Sequence, residues 1–122
     1  MHRFVELLHE NRQKPILVTG TGFCAPLQEF MVRKLLVLGY CAIGSNSYEV
    51  YESGALNAGL VIAISKSGKT DTILKPVQDS FAQHRSIIAF VGADNSPIAR
   101  CADPAFVLLD DKMLDDRNLT AN

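Results

Sequence analysis

Three hydroxyl side chains stand within six residues directly after an apolar run. The run is Leu60–Ile64, and Ser65-Lys66-Ser67-Gly68-Lys69-Thr70 follows it. This pattern predicts a buried strand that turns into a helix, where free backbone N–H groups and the positive end of the helix dipole meet the hydroxyls. Such a turn binds a phosphate group. Because it supplies many hydrogen-bond donors and no nucleophile paired with a base, it favours binding of a phosphorylated ligand over catalysis. The predicted phosphate-binding residues are Ser65, Ser67, Gly68, Lys69 and Thr70.

Two other interpretations of this turn fit the residues less well. A helix cap needs one hydroxyl, whereas three are present beside a glycine. A nucleotide-binding P-loop needs its first glycine at position 63, which is Ala63. It also needs an acidic residue to hold magnesium, and residues 87–91 supply none. We therefore predict a phosphate site that is not a P-loop.

A second glycine-bearing turn, Gly20-Thr21-Gly22-Phe23-Cys24-Ala25, follows the apolar residues 16–18. It matches the relaxed dinucleotide-binding pattern, which is weak evidence alone. A nicotinamide enzyme also needs an acidic residue at the end of the second strand, where this chain has Gly44-Ser45-Asn46-Ser47. We therefore predict no cofactor. We also predict no metal, because His2 and His9 with the glutamates of the first helix fit a solvated face better than a metal site. The turn either approaches a sugar or only packs tightly, and the sequence leaves both open.

Further polar residues fall at the end of the second predicted strand. Ser45, Asn46 and Glu49 either bind sugar hydroxyls or form a helix cap with a surface carboxylate. Cys24 either faces the ligand or packs as a small apolar residue, and packing is favoured. The candidate residues on the sugar side are Gly20, Thr21, Gly22, Cys24, Ser45, Asn46 and Glu49.

Strands and helices alternate along the chain and position these turns. Helical periodicity and capping signals predict helices over 2–12, 26–38, 48–57, 70–84 and 96–101. Apolar runs predict strands over 16–19, 41–43, 60–65, 86–91 and 105–109. Such an order implies right-handed crossovers and a parallel sheet covered on both faces. We predict a doubly wound, flavodoxin-like α/β fold with five parallel strands, which binds ligands at the carboxyl ends of its strands.

The composition is that of one globular domain. The 122 residues carry a formal net charge of -1, which gives no basic surface for nucleic acid, and no apolar stretch is long enough for a membrane span. Glu6 and Glu10 do not fit a signal peptide, and three dispersed cysteines fit reduced thiols, so a cytoplasmic protein is predicted. The predicted organisation is a helix or linker over 1–14, a domain over 15–109, and an acidic tail over 110–122 that is disordered or truncated.

The combined motifs resemble the sugar isomerase (SIS) domain. The resemblance rests on the Gly-x-Gly turn, on Ile64-Ser65-Lys66-Ser67-Gly68-Lys69-Thr70, and on Asn95-Ser96-Pro97-Ile98-Ala99 followed by an apolar strand. It covers residues 15–109. The helix with Arg33-Lys34-Leu35-Leu36, the pair Gly39-Tyr40, and residues 45–49 are most similar to RpiR-type transcriptional regulators. The family often has Ser where this chain has Cys24.

The resemblance implies a function and partners. In RpiR-type regulators an N-terminal helix-turn-helix domain binds DNA and the SIS domain senses a phosphorylated sugar, usually as a dimer. Carried over, Ser65, Ser67 and Thr70 hold the phosphate, and the Gly20–Gly22 turn flanks the sugar. Residues 1–14 hold one short helix, so DNA binding is expected only through a domain outside this chain. The alternative is an aldose–ketose phosphate isomerase, for which Glu49 is the one candidate base.

Overall fold

The computed structural model describes residues 2–20, 24–44, 59–66, 71–92 and 95–107. In these ranges, strands alternate with helices after a first helix, except between the second and third strands, where residues 45–58 lie outside the described ranges. The elements in chain order are α1 (His2–Glu10), β1 (Ile16–Gly20), α2 (Ala25–Val37), β2 (Ala42–Gly44), β3 (Leu60–Ser65), α3 (Asp71–Ala82), β4 (Ser86–Val91), α4 (Pro97–Cys101) and β5 (Ala105–Val107).

The predicted bounds of β3 and β4 are confirmed, and those of the other described elements differ by one or two residues. The first helix ends at Glu10 rather than at residue 12. The helix predicted over 70–84 ends at Ala82, because His84 adopts a left-handed φ of 61° that no α-helix continues. Pro76 lies inside this helix. The helix predicted over 48–57 and the last two residues of the fifth strand lie outside the described residues.

All five strands pair in parallel in the order β2-β1-β3-β4-β5. The predicted doubly wound, flavodoxin-like fold is thus confirmed. Because β1 and β3 are neighbours, the chain leaves β1 toward one edge of the sheet and leaves β3 toward the other. A sheet of this kind binds its ligands at such a switch point, beyond the carboxyl ends of the two strands.

Helices cover both faces of the sheet. On one face, α1 and α2 bury Leu7, Leu8 and Leu35 against Ile62 and its neighbours. On the other face, α3 and α4 bury apolar side chains against the alternate residues of the same strands; these helix residues are Ile73, Val77, Ile98 and Ala99. The central strand β3 is buried along its whole length, which explains its uninterrupted apolar sequence.

Two helix ends follow directly from residue type. Gly39 has a φ of 95°, and its N–H donates to the carbonyl of Leu36 while that of Tyr40 donates to Leu35, which closes α2 in a Schellman motif. Ser96 caps α4 through its Oγ, which accepts a hydrogen bond from the Ala99 N–H at 3.3 Å. Both signals were present in the sequence.

Candidate functional site

The ends of β1 and β3 lie side by side. Gly20, the last residue of β1, pairs in register with Ile64, and Ser65 is the next residue of β3. The two glycine-bearing turns of the sequence therefore start from adjacent positions at the carboxyl edge. Close contact explains the residue type at position 20, because a Cβ there would lie 3.0 Å from the carbonyl oxygen of Cys24.

The hydroxyl-rich turn begins in the core and opens outward. Ser65 is 2% exposed and pairs in register with Val91 of β4, whereas Lys66 is exposed. The carbonyl of Lys66 accepts a hydrogen bond of 2.9 Å from the N–H of Gly92, which follows β4. This bond fixes the start of the turn against the neighbouring strand. Ser67, Gly68, Lys69 and Thr70 lie outside the described residues, and α3 begins directly after them at Asp71.

Cys24 belongs to the glycine turn that follows β1. It occupies the N-cap position of α2 and is buried in the apolar core, as the packing interpretation predicted. Burial raises the pKa of the Cys24 thiol, while the backbone N–H and the positive charge of Lys66 act in the opposite direction.

Gln28 is a residue of this edge that the sequence reasoning missed. Its Oε1 accepts a hydrogen bond of 2.8 Å from the Gly20 N–H. Its Nε2 lies beside Gly44, the last residue of β2, so closely that a Cβ on Gly44 would be 2.7 Å from it. One carboxamide therefore bridges the carboxyl ends of two strands. The available signal was a lone amide among the apolar positions of α2, one helical turn after Cys24.

The remaining sugar-side candidates are not placed. Thr21, Gly22, Ser45, Asn46 and Glu49 lie outside the described residues. Their neighbours in the sequence, Gly20 and Gly44, do lie at the same edge and are joined by Gln28.

A cavity of about 320 Å³ lies at the amino ends of the strands, opposite the carboxyl ends where the two turns begin. Arg3, His84 and Arg85 line it near the amino end of β4. The carboxyl ends of α3 and α4 also lie there, and the negative ends of helix dipoles favour cationic side chains without any ligand. His84 and Arg85 are therefore accounted for without a ligand, and the cavity lies at the opposite end of the strands from the start of the two turns.

Within the described ranges, no group of three or more His, Cys, Asp or Glu residues is arranged to hold a metal ion. No helix in the same part of the chain is long and apolar enough to cross a membrane.

Comparison of structures identifies the architecture. The NanR protein of Vibrio vulnificus, complexed with ManNAc-6P, matches with a TM-score of 0.78 and 19% identity over 87% of this chain and 40% of its own. The sugar isomerase domain of an RpiR transcription factor from Sphaerobacter thermophilus matches with a TM-score of 0.69 and 20% identity over 88% of this chain and 63% of its own. This chain has the fold of a sugar isomerase domain.

A third similar structure is that of a candidate enzyme. It is a candidate sugar-phosphate isomerase from Listeria monocytogenes strain 4b F2365, with a TM-score of 0.75 and 23% identity over 99% of this chain and 64% of its own. The chain thus spans 40–64% of the length of these three SIS structures. No protein-family model matches the sequence, and no curated protein is significantly similar to it.

Proposed function

We propose that this SIS domain is the phosphosugar-binding sensor of an RpiR-type transcriptional regulator. The observation that carries the proposal is the adjacency of Gly20 and Ile64 at the switch point of the sheet, because the chain enters the first glycine turn and the hydroxyl-rich turn from these two positions. The phosphate binds to Ser65, Ser67, Gly68, Lys69 and Thr70, where the start of α3 contributes its dipole. The sugar extends toward the ends of β1 and β2.

Two similar structures support a sensor. One is the NanR protein with bound ManNAc-6P, and the other is the sugar isomerase domain of an RpiR transcription factor. In the proposed mechanism the domain is a dimer in the cytoplasm, and the ligand binds one arrangement of the dimer more tightly than another. That difference in affinity shifts the population of states of a helix-turn-helix domain outside this chain.

The alternative is an isomerase that interconverts aldose and ketose phosphates. Its support is the similarity to the candidate isomerase from L. monocytogenes. The reaction moves a proton between adjacent carbons and so needs a base over the substrate. The described residues that directly end β1, β2 and β3 at the carboxyl edge, Gly20, Gly44 and Ser65, include no such base. Glu49 is therefore the base of this alternative, and interconversion of a sugar phosphate that Glu49→Gln abolishes would establish it.

A thermal-shift screen tests the sensor. The chain is heated with ManNAc-6P and a panel of pentose and hexose phosphates, with inorganic phosphate, unphosphorylated sugars and NADH as controls. A ligand at a hundred times its dissociation constant adds about 2.7 kcal/mol, which is a shift of several degrees for a domain of this size. We expect one sugar phosphate to give this shift.

Two serine variants make the screen specific to the site. Ser67→Ala removes a hydroxyl of the predicted phosphate turn and is expected to abolish the shift. Ser86→Ala removes a hydroxyl at the amino end of β4, on the opposite edge of the sheet, and should leave the shift intact. Absence of a shift with every sugar phosphate, or an equal loss in both variants, would refute the proposed site. Mass measurement with and without the ligand tests the dimer, which a monomer in both conditions would contradict.

A further inference from the structure

We propose that Gln28 is a ligand-binding residue whose Nε2 donates a hydrogen bond to an oxygen of the sugar moiety. The inference rests on the proposed phosphosugar site and assigns a residue on its sugar side. It starts from the bridge that the Gln28 carboxamide makes between Gly20 and Gly44.

The contact with Gly20 fixes which end of the amide is the donor. A backbone N–H can only donate, so the amide atom 2.8 Å from the Gly20 nitrogen must be the oxygen. Nε2, with two N–H groups, then lies on the side of Gly44. Gln28 is partly exposed and Gly44 is exposed, so this end of the amide lies at an accessible part of the edge.

Glycine at position 44 leaves the space that the amide occupies. A Cβ there would approach Nε2 to 2.7 Å and Val32 Cγ2 to 3.2 Å, and both distances are tighter than ordinary side-chain contacts. The Gln28 side chain is thus held by a hydrogen bond at Oε1, and its Nε2 lies close beside Gly44. A donor held in this way loses little side-chain entropy when it binds a ligand.

The position of the amide suits the sugar rather than the phosphate. Gly20 adjoins Ile64 in the sheet, and Ser65 of the phosphate turn is the next residue. Neighbouring strands lie roughly 4.8 Å apart, so the ends of β2 and β3 are separated by roughly 10 Å across β1. A neutral amide that donates to a hydroxyl or carbonyl oxygen fits the sugar part of a ligand whose phosphate lies at β3. Charged groups and helix N-termini are the stronger donors to phosphate.

The substitution Gln28→Glu tests the donor role of Nε2 separately from the hydrogen bond that Oε1 accepts from Gly20. The carboxylate keeps an acceptor for the Gly20 N–H and loses the two N–H groups. The matched control is Gln83→Glu, which makes the same chemical change at an exposed residue after α3, on the opposite edge. Dissociation constants are measured for the sugar phosphate selected in the screen and for inorganic phosphate. The added negative charge weakens the binding of both ligands. The ratio of the two dissociation constants therefore reports the effect of losing the N–H donor.

We expect Gln28→Glu to weaken the binding of sugar phosphate by about tenfold more than the binding of inorganic phosphate. A change of this size corresponds to the loss of one hydrogen bond to the ligand. Gln83→Glu should leave the ratio within about twofold of wild type. Should Gln28→Glu fail to fold, the neutral Gln28→Met lacks the same donor and should show the same change in the ratio.

The outcomes distinguish the two proposals. An unchanged ratio in a folded variant that still binds sugar phosphate would overturn the role of Gln28 alone, because it would show that the amide only anchors Gly20. Absence of sugar-phosphate binding by the wild-type chain would overturn the proposed function and, with it, this inference.

Discussion

The backbone N–H of Gly20 donates a hydrogen bond of 2.8 Å to Oε1 of Gln28, eight residues further along the chain. This bond ties the end of β1 to the first turn of α2, so the residues on either side of the glycine turn are fixed relative to each other. The other end of the same amide lies against Gly44 of β2. A single side chain thereby sets the geometry of two strand ends next to the predicted phosphate turn.

The contact between Gln28 and Gly44 predicts coupled stability. In Gly44→Ala, the new Cβ would lie 2.7 Å from Gln28 Nε2, and the flexible amide rather than the backbone must move. We expect a loss of about 1 kcal/mol in the free energy of unfolding, measured by urea denaturation. In a Gln28→Ala background the same substitution should cost at least 0.5 kcal/mol less, on the order of coupling between contacting residues. Equal costs in the two backgrounds would show that the two residues do not interact.

The backbone conformations of His84 and Gly39 predict that His84→Gly stabilises the protein and that Gly39→Ala destabilises it. Both residues follow a helix in a left-handed conformation, with φ of 61° and 95°. This conformation costs a non-glycine residue roughly 1–2 kcal/mol. His84→Gly should therefore raise the free energy of unfolding by about 1 kcal/mol, and Gly39→Ala should lower it by about as much. Among the described residues, chain neighbours aside, no atom lies within 4 Å of a Cβ at Gly39, so that cost is conformational rather than steric.

Urea denaturation of both variants checks this pair, with Gln83→Gly as a control at the position before His84. The control should lower stability, because glycine there gains nothing from a left-handed backbone and adds entropy to the unfolded chain. A loss of stability in His84→Gly would mean that the imidazole makes a contact worth more than the strain of its backbone.

The cysteines predict a loss of stability at alkaline pH. Burial raises the pKa of Cys24 and of Cys101 above the ordinary value of 9.0. Below pH 9 both thiols are protonated in the folded and the unfolded chain, and their contribution is fully present. As the pH rises from 9 through the higher folded values, the unfolded chain releases protons first, so stability falls. Urea denaturation between pH 8 and pH 11 should show this fall.

Thiol labelling and two variants provide the controls for the cysteines. Cys24→Ala should reduce the alkaline fall, whereas Cys41→Ala, which removes an exposed thiol, should not. In the native protein at pH 8, a thiol reagent should modify Cys41 first and Cys24 only on unfolding, since access and thiolate formation both limit the reaction. Rapid labelling of Cys24 in the folded state would contradict its burial.

Phe4 predicts that α1 is part of the cooperative fold. Its ring centroid lies 6.0 Å from that of Phe90 and 6.1 Å from that of Phe106, while those two rings stack at 5.2 Å. Leu7 and Leu8 of the same helix are buried against the sheet. Phe4→Ala should lower the free energy of unfolding by roughly 2–3 kcal/mol, below the cost at a fully buried site because Phe4 is half-buried.

Unfolding of Phe4→Ala, followed by circular dichroism and calorimetry, checks this prediction. A single transition at a lower temperature is expected if the helix and the sheet unfold together. The control Val5→Ala changes an exposed residue of the same helix and should have a small effect. An unchanged melting temperature for Phe4→Ala would instead support an independent N-terminal segment, as the predicted boundary at residue 14 implies.

Local pattern predicted most of the described elements. The apolar runs over residues 60–65 and 86–91 correspond to β3 and β4 residue for residue, because strands buried on both faces admit little but apolar side chains. The end of α3 was wrong by two residues, since left-handed histidine is uncommon and the sequence carries no glycine there. The residues proposed for the phosphate and the sugar remain predictions.

The sequence by itself determined the succession of strands and helices, the two glycine turns, and the parallel sheet at whose carboxyl edge both turns belong. The elements follow from local periodicity, and their arrangement in a parallel sheet follows from their order along the chain and the general handedness of crossovers. Only the tertiary structure decided that Gln28 spans Gly20 and Gly44, and that the Lys66 carbonyl is held by Gly92. Such contacts join strands that are neighbours in the sheet but distant in the chain, so their geometry depends on how the packed elements are placed together and not on any short stretch of residues.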